Sequence, residues 1–339
     1  MPSDRKLAAL PTQAAPLADA HVIGLPRALM YYRLGTKWRA FFEALGREVR
    51  VSKPSDRAVF ERGEALSVDE CCLASKLYLG HVDELADRVD AVFCPSLARP
   101  SAFRTYCTKF QALPDLVSNA FALAERPVTV LSELLWEDGA EKDERESYVR
   151  LAARLGASRK EGVAAWKQAR RAQADHDDKL ARAQADLVRS AARLPEGERA
   201  IQILVAAHPY VAHDPYVGGV VTDALRANGA TVLFADEYDH ERAYRRSQDF
   251  SASLPWVVNR ELVGAILALH EEVDGIVLIS AFPCGPDSMT DDAISRCVKG
   301  RPLLTLTVDA QSGTAGVETR VESFVDILSY QRKGGYLNG

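Results

Sequence analysis

The sequence predicts an α/β protein of two Rossmann-like lobes with parallel sheets, joined by a long helical segment, and three observations carry that expectation. From His21 onward short apolar runs alternate with amphipathic stretches, the pattern of strands and crossover helices. Four strand candidates stand on each side of a central segment. That segment, Glu141 to Arg193, is rich in Ala, Arg, Glu, Asp and Gln and contains no proline. A chain of 339 residues exceeds one ordinary core and suits two compact units with a connector. The expected divisions are an N-terminal tail at 1–20, a first lobe at 21–138, a helical connector at 139–198 and a second lobe at 199–339.

Taken in order, Met1 to Ala20 lacks the continuous apolar stretch of a signal peptide and reads as a flexible tail. His21 to Gly24 reads as the first strand, and Pro26 suits the opening turn of a helix, where its missing N–H would have no partner anyway. Trp38, Phe41, Phe42 and Leu45 fall at i, i+3, i+4 and i+7 and form one buried face, with Gly46 as the stop. Glu48 to Ser52, Ala91 to Cys94 and Val128 to Leu131 read as the next strands, and Leu73 to Ala86 as a helix. Ser158-Arg159-Lys160-Glu161 matches a capping box, so a long helix should run from there to Leu194 and end at Pro195 and Gly197. Leu180, Leu187 and Leu194 lie one heptad apart, a stripe through which a second copy could pair as a homodimer. The second lobe offers strands at Ile201 to Val205, Thr231 to Phe234, Gly275 to Ile279 and Leu303 to Val308.

A net charge of −5 supplies no electrostatic reason to expect nucleic acid, and the connector intersperses both signs as a solvated face does. No segment offers the roughly 18 uncharged apolar residues that cross a bilayer, so no membrane is expected and a cytoplasmic setting is. Six cysteines in that reducing setting should be thiols or metal ligands rather than disulfides.

Cys72, Cys107 and Cys284 stand in short contexts marked by Pro, Gly or acidic residues. Cys72 precedes a predicted helix, whose start favours thiolate over thiol. Cys284 follows an apolar strand, at the sheet edge where open α/β folds bind ligands. Cys107 falls on a predicted loop. The residues alone leave two readings open: one metal site shared between lobes, or several unrelated buried thiols. No C-x-x-C occurs, which argues against a zinc ribbon or a small-ferredoxin run. His208 and His213 flank Pro209-Tyr210 after a strand, a place for a proton carrier or for a histidine bonded to backbone. Arg27 and Lys76 could offer charge to an anionic substrate, or simply form ion pairs. Ser288 could cap a helix from near Thr290. The absence of G-x-x-x-x-G-K-[ST], G-x-S-x-G and H-E-x-x-H disfavours ATP hydrolysis, a serine hydrolase and a zinc protease.

An ordered set of motifs spans nearly the whole chain: Ile23-Gly24-Leu25-Pro26-Arg27-Ala28-Leu29, Ser67-Val68-Asp69-Glu70 with Cys72 and Lys76, Gly80-His81, and Cys107 with Lys109-Phe110 and Leu113-Pro114-Asp115. His208-Pro209-Tyr210, Asp214-Pro215-Tyr216, Pro283 to Ser288, and Thr307-Val308-Asp309 with Gly313, Gly316, Thr319-Arg320 and Phe324 continue it. In these the chain resembles the iron-sulfur family of acyl-CoA dehydratase activase-related proteins, itself similar to 2-hydroxyacyl-CoA dehydratase subunits and double-cubane cluster proteins. The resemblance implies that Cys72, Cys107 and Cys284 bind one 4Fe-4S cluster between the lobes, with one iron open for low-potential reductive chemistry on a small molecule. It also implies a separate ATP-dependent activator or other low-potential electron donor. The alternative is a non-catalytic electron-transfer or accessory subunit. His208, Lys76 and Arg27 are the catalytic candidates. A double cubane would enlist Cys71, Cys94 and Cys297 as well. Two departures stand out: Asp309-Ala310-Gln311 replaces the family's Asp-Glu-His, and Ala74 a usual proline.

Overall fold

The computed structural model describes residues 17–98, 101, 104–195, 198–309 and 314–333. The tail at 1–16, Gly197, and the Ala310-Gln311 and Gly313 positions therefore lie outside the described residues. The first lobe runs β1 (Val22–Leu25), α1 (Tyr31–Ala44), β2 (Glu48–Val51), α2 (Arg57–Ala65), α3 (Leu73–Ala86), β3 (Ala91–Phe93) and β4 (Ser96–Leu97). It continues through α4 (Thr108–Gln111), α5 (Leu113–Leu123), β5 (Val130–Leu131) and β6 (Leu134–Leu135), before α6 (Glu141–Arg154) and α7 (Arg159–Ala192). The second lobe comprises β7 (Gln202–Ala206), α8 (Pro209–Ala212), α9 (Gly218–Ala227), β8 (Thr231–Phe234), α10 (His240–Arg246) and α11 (Val257–Leu269). Then come β9 (Gly275–Ala281), α12 (Gly285–Cys297), β10 (Leu303–Val308) and α13 (Thr314–Arg332).

Each lobe holds a four-stranded sheet, ordered β2-β1-β3-β5 and β10-β9-β7-β8. Every pairing is parallel. Counted in order of appearance, both sheets read 2-1-3-4, so the lobes share one topology without sharing a residue-level repeat. In such sheets the strand order reverses between the first and third strands, and ligands bind beyond the strand ends at that switch point. The two switch points here are β1/β3 and β7/β9. A separate two-stranded parallel pairing of β4 with β6 was not expected, because two residues are too few to show a period.

The buried face of α1 is the one its spacing predicts, with Trp38, Phe41 and Phe42 in the core and Gly46 at φ +71 as the stop. Pro26 does not open that helix. Residues 26–30 form a hydrogen-bonded turn in which Leu29 adopts φ +50, a left-handed conformation no continuous helix admits. The helices α2 and α3 cross at glycine: a Cβ on Gly63 would lie 1.8 Å from Lys76 O, and one on Gly80 would lie 1.9 Å from Val59 O. Only hydrogen fits at either position.

Helix α7 starts at the capping box, with both halves made by Ser158 and Glu161. Its 34 residues span about 50 Å and touch both lobes. Gln173 accepts from Lys37 N–H (3.0 Å) and donates to Arg33 O (2.9 Å) on α1. Farther along, Gln184 accepts from Phe234 N–H (2.6 Å) and donates to Phe234 O (2.8 Å) at the end of β8. The packed face is Ala165, Trp166, Ala169, Gln173 and Gln184, whereas Leu187 and Leu194 are half exposed. Small side chains let the helix approach closely, so the leucine stripe is not the face it buries.

Candidate metal centre

Cys72, Cys107 and Cys284 line one cavity of about 80 Å³ between the lobes, together with His208, Tyr210 and Asn259. Each cysteine stands immediately before a helix: Cys72 before α3, Cys107 before α4 and Cys284 before α12. Cys107 thus occupies a helix entrance rather than a plain loop. Short backbone pairings across the lobes hold all three in place. Leu73 N–H donates to Phe282 O (3.0 Å), joining the Cys72 turn to the Cys284 turn. Thr105 N–H donates to Pro255 O (3.0 Å) and Val257 N–H to Thr105 O (2.9 Å), which brings the Cys107 segment to the second lobe. The Phe282–Pro283 bond ahead of Cys284 is cis.

The cavity wall is largely aromatic and aliphatic, with Leu29, Tyr106, Phe110, Tyr210 and Trp256 among its members. Tyr210 stacks parallel on His208, with ring centroids 5.0 Å apart and planes at 8°, and meets Phe110 edge-on. His208 lies two residues beyond β7, immediately before α8. Its Nδ1 lies 3.0 Å from the Asp287 carboxylate, which also accepts from Asn259 Nδ2 at 3.0 Å. Ligand-capable atoms of His208, Cys284 and Asp287 all lie within 4.8 Å of one another.

The electrostatics follow from burial and pairing. Burial, with Asp287 next, pushes the Cys284 thiol well above its ordinary value, so the advantage of a helix start is outweighed there. A metal that takes this sulfur as thiolate must displace a proton. Burial opposes charge on both His208 and Asp287, yet each favours the ionised form of the other: His208 is raised and Asp287 lowered. Asp291, nearby on α12, is raised to about 7 by burial and by Asp287.

The remaining candidates lie elsewhere. Lys76 does not line the cavity and pairs with Glu64 at 3.5 Å. Arg27 donates its backbone N–H to Ser52 Oγ (2.7 Å) and lays its guanidinium over Tyr31, 5.9 Å from the ring centroid. Of the two roles open to them from the sequence, charge for a ligand or an ion pair, Lys76 makes the ion pair. Cys71 and Cys94 are buried and Cys297 is exposed, and none lines the cavity. Cys297 sits a whole helix from Cys284, about 20 Å along α12. Cys94 is sealed in the first-lobe core, so these three do not form a second group. Ser288 caps nothing: α12 already begins at Gly285, and the Ser288 hydroxyl donates to Cys284 O (2.8 Å). His213 pairs with Asp236 at 2.8 Å, and Tyr216 stacks on Phe60. Asp287 and Asn259 were not singled out from the sequence. Asp287, three residues after Cys284 on one helix, could have been; Asn259, on α11, had no local signal.

Several motif residues outside the cavity build a buried chain between the lobes. Ser52 Oγ and Ser55 Oγ each lie 2.9 Å from a nitrogen of His81, Ser55 donates to Asp214, and Tyr32 OH donates to Asp214 at 3.1 Å. One tautomer satisfies the whole chain. Ser52 accepts from Arg27 N–H and donates to Nδ1, while Nε2–H donates to Ser55, which donates to the carboxylate. This arrangement needs a neutral imidazole, and burial, with Arg27 second, lowers the pKa of His81 to about 3.

The profile of the family described as "CoA enzyme activase uncharacterised domain" matches residues 22–237. No curated protein matches the chain. Among solved structures, the periplasmic zinc binding protein TroA from Treponema pallidum is 9% identical, with 91% of this chain and 98% of that one covered and a TM-score of 0.22. The Mn-bound periplasmic metal binding protein from Candidatus Liberibacter asiaticus is 9% identical, covering 90% and 99%, with a TM-score of 0.24. The C-terminal domain of glucosamine-fructose-6-phosphate aminotransferase from Francisella tularensis is 9% identical, covering 91% and 85%, with a TM-score of 0.24. At such TM-scores the overlap is too loose to speak to fold or chemistry. Among the described residues no helix is long and apolar enough to cross a membrane.

Proposed function

Because the chain belongs to the family described as the CoA enzyme activase uncharacterised domain, whose profile matches residues 22–237, we propose that it is an iron–sulfur component of the 2-hydroxyacyl-CoA dehydratase type, with Cys72, Cys107 and Cys284 holding one 4Fe-4S cluster between its lobes. The observation that supports this most is the meeting of three cysteines from distant parts of the sequence on one cavity. The donor set fits the group: soft sulfur ligands in an apolar pocket select iron–sulfur clusters or zinc over hard cations. None of the six cysteines is paired in a disulfide, so Cys72, Cys107 and Cys284 are available as thiolate ligands. Bound there, a cubane supplies low-potential one-electron chemistry, and three thiolates leave one of its irons open to a small molecule.

The protein's own part is to shape and dry the pocket. Tyr106, Phe110, Tyr210 and Trp256 exclude water, and the cross-lobe backbone pairings fix the sulfur-bearing turns against each other. The ordered pair of His208 and Asp287 sets a polar group at the wall. With no nucleotide-binding motif in this chain, low-potential electrons would come from a separate ATP-dependent activator or another donor protein. An accessory electron-transfer role uses the same site without a small-molecule substrate.

Anaerobic purification with iron and sulfide analysis tests the reading. The full chain should carry about four irons with matching sulfide. Cys284→Ser should lose them along with the broad charge-transfer absorption, leaving the far-UV circular dichroism unchanged. Stoichiometric zinc in place of iron, or unaltered iron in Cys284→Ser, would overturn it.

A further inference from the structure

We propose that His208 is a fourth protein ligand of the cysteine centre, binding metal through Nε2. The inference rests on the cluster reading above and adds to it a residue from the second lobe. Four observations on geometry carry it.

First, His208 occupies in the second lobe the kind of position the cysteines occupy. It lies just beyond a strand of the β7/β9 switch point and immediately before a helix, as Cys284 does beyond the neighbouring strand β9. Second, His208 lines the cavity that Cys72, Cys107 and Cys284 line, and a ring nitrogen, Cys284 Sγ and an Asp287 oxygen lie within 4.8 Å of one another. Third, the two ring nitrogens have distinct tasks. Nδ1 lies 3.0 Å from Asp287, which leaves the Nε2 lone pair as the one that can reach a metal. A ligating histidine almost always donates its other N–H to a carboxylate or carbonyl in this way, and the partner fixes both tautomer and ring plane. Fourth, the ring cannot swing away freely. Tyr210 covers one face in parallel contact, and Asn259 anchors Asp287 through a second hydrogen bond.

Asp287 is the competing ligand in that group, but its carboxylate is already engaged by His208 and by Asn259. Sulfur and imidazole together remain a donor set that suits iron, whereas a carboxylate favours harder cations. A centre of three thiolates and one imidazole would be closed at rest. A small molecule could then reach the fourth iron only by displacing His208.

The test is pulsed electron paramagnetic resonance on the anaerobically reconstituted, reduced full chain, prepared unlabelled and with 15N-histidine. A directly coordinated nitrogen should appear in the unlabelled protein and change to the 15N pattern on labelling. Among the described residues His208 is the only histidine that lines the cavity, so the labelled wild type assigns the signal even if a variant fails to fold. In His208→Ala the coupling should vanish while iron and sulfide persist. A cluster with no histidine coupling would overturn the inference and leave the cysteine reading standing. Coupling that survives in a folded His208→Ala would overturn it too. Wild type without iron and sulfide would overturn both.

Discussion

Replacing His81 by Gln tests the buried chain that joins the lobes, and the test is sharpest in its pH dependence. The wild-type imidazole is fully buried and neutral, with both nitrogens hydrogen-bonded to serines. Burial first, then Arg27 and Lys53, disfavour its protonation, and only Asp56 opposes them, so the pKa falls to about 3. Asp214, the acceptor at the end of the chain, is itself raised by burial. The unfolded chain binds a proton here below about pH 6.5 that the folded chain refuses, so this group's contribution is present above that pH and is lost on acidification. Between pH 7 and pH 5 the loss is about 2 kcal/mol, from a slope near 1.4 kcal/mol per unit once below the unfolded pKa. Gln can donate to Ser55 and accept from Ser52, but it does not titrate. At pH 7 the variant should be less stable by about 1–3 kcal/mol, since its longer amide replaces a fitted ring. At pH 5 that gap should shrink by about 2 kcal/mol. The raised histidines His208, His213 and His240 respond to acid in the opposite sense, and taking the difference between proteins cancels them. Urea denaturation of both proteins at the two pH values reads the gap. A gap that does not change with pH would refute the neutral buried imidazole and the hydrogen-bond direction drawn from it.

Gly80→Ala should destabilise the first lobe by about 1–3 kcal/mol or more, because its Cβ would enter the space of Val59 O; a lower thermal midpoint checks this. Gln184→Ala should leave both polar groups of Phe234 without their partner at the end of β8, at about 1–3 kcal/mol for each, and should speed proteolysis near β8 before the first lobe is affected. Cys297→Ser should leave iron content and absorption unchanged, since that thiol is exposed at the far end of α12.

Much of the architecture is encoded locally and was legible. Apolar runs marked seven of the eight principal strands to within a few residues, most clearly β7 and β9, because a parallel strand buried on both faces must be apolar throughout, whereas β2 alternates as Glu48-Val49-Arg50-Val51. The capping box and a proline-free stretch marked α7, and the motif contexts marked Cys72, Cys107 and Cys284. Residues that meet only across the lobes were not legible. Asn259 approaches His208 through Asp287, and His81 joins Asp214 through Ser55, over sequence separations that no period spans. Lys76 and Arg27 stood in the motifs with two roles open, and only the fold shows that Lys76 pairs with Glu64 and that Arg27 lies over Tyr31. Periodicity reports which face of a helix or strand is buried, a property of a few neighbouring residues. Which buried face meets which is set by how the two sheets dock at their switch points, and there the tertiary structure alone decided that three cysteines and one histidine share a cavity.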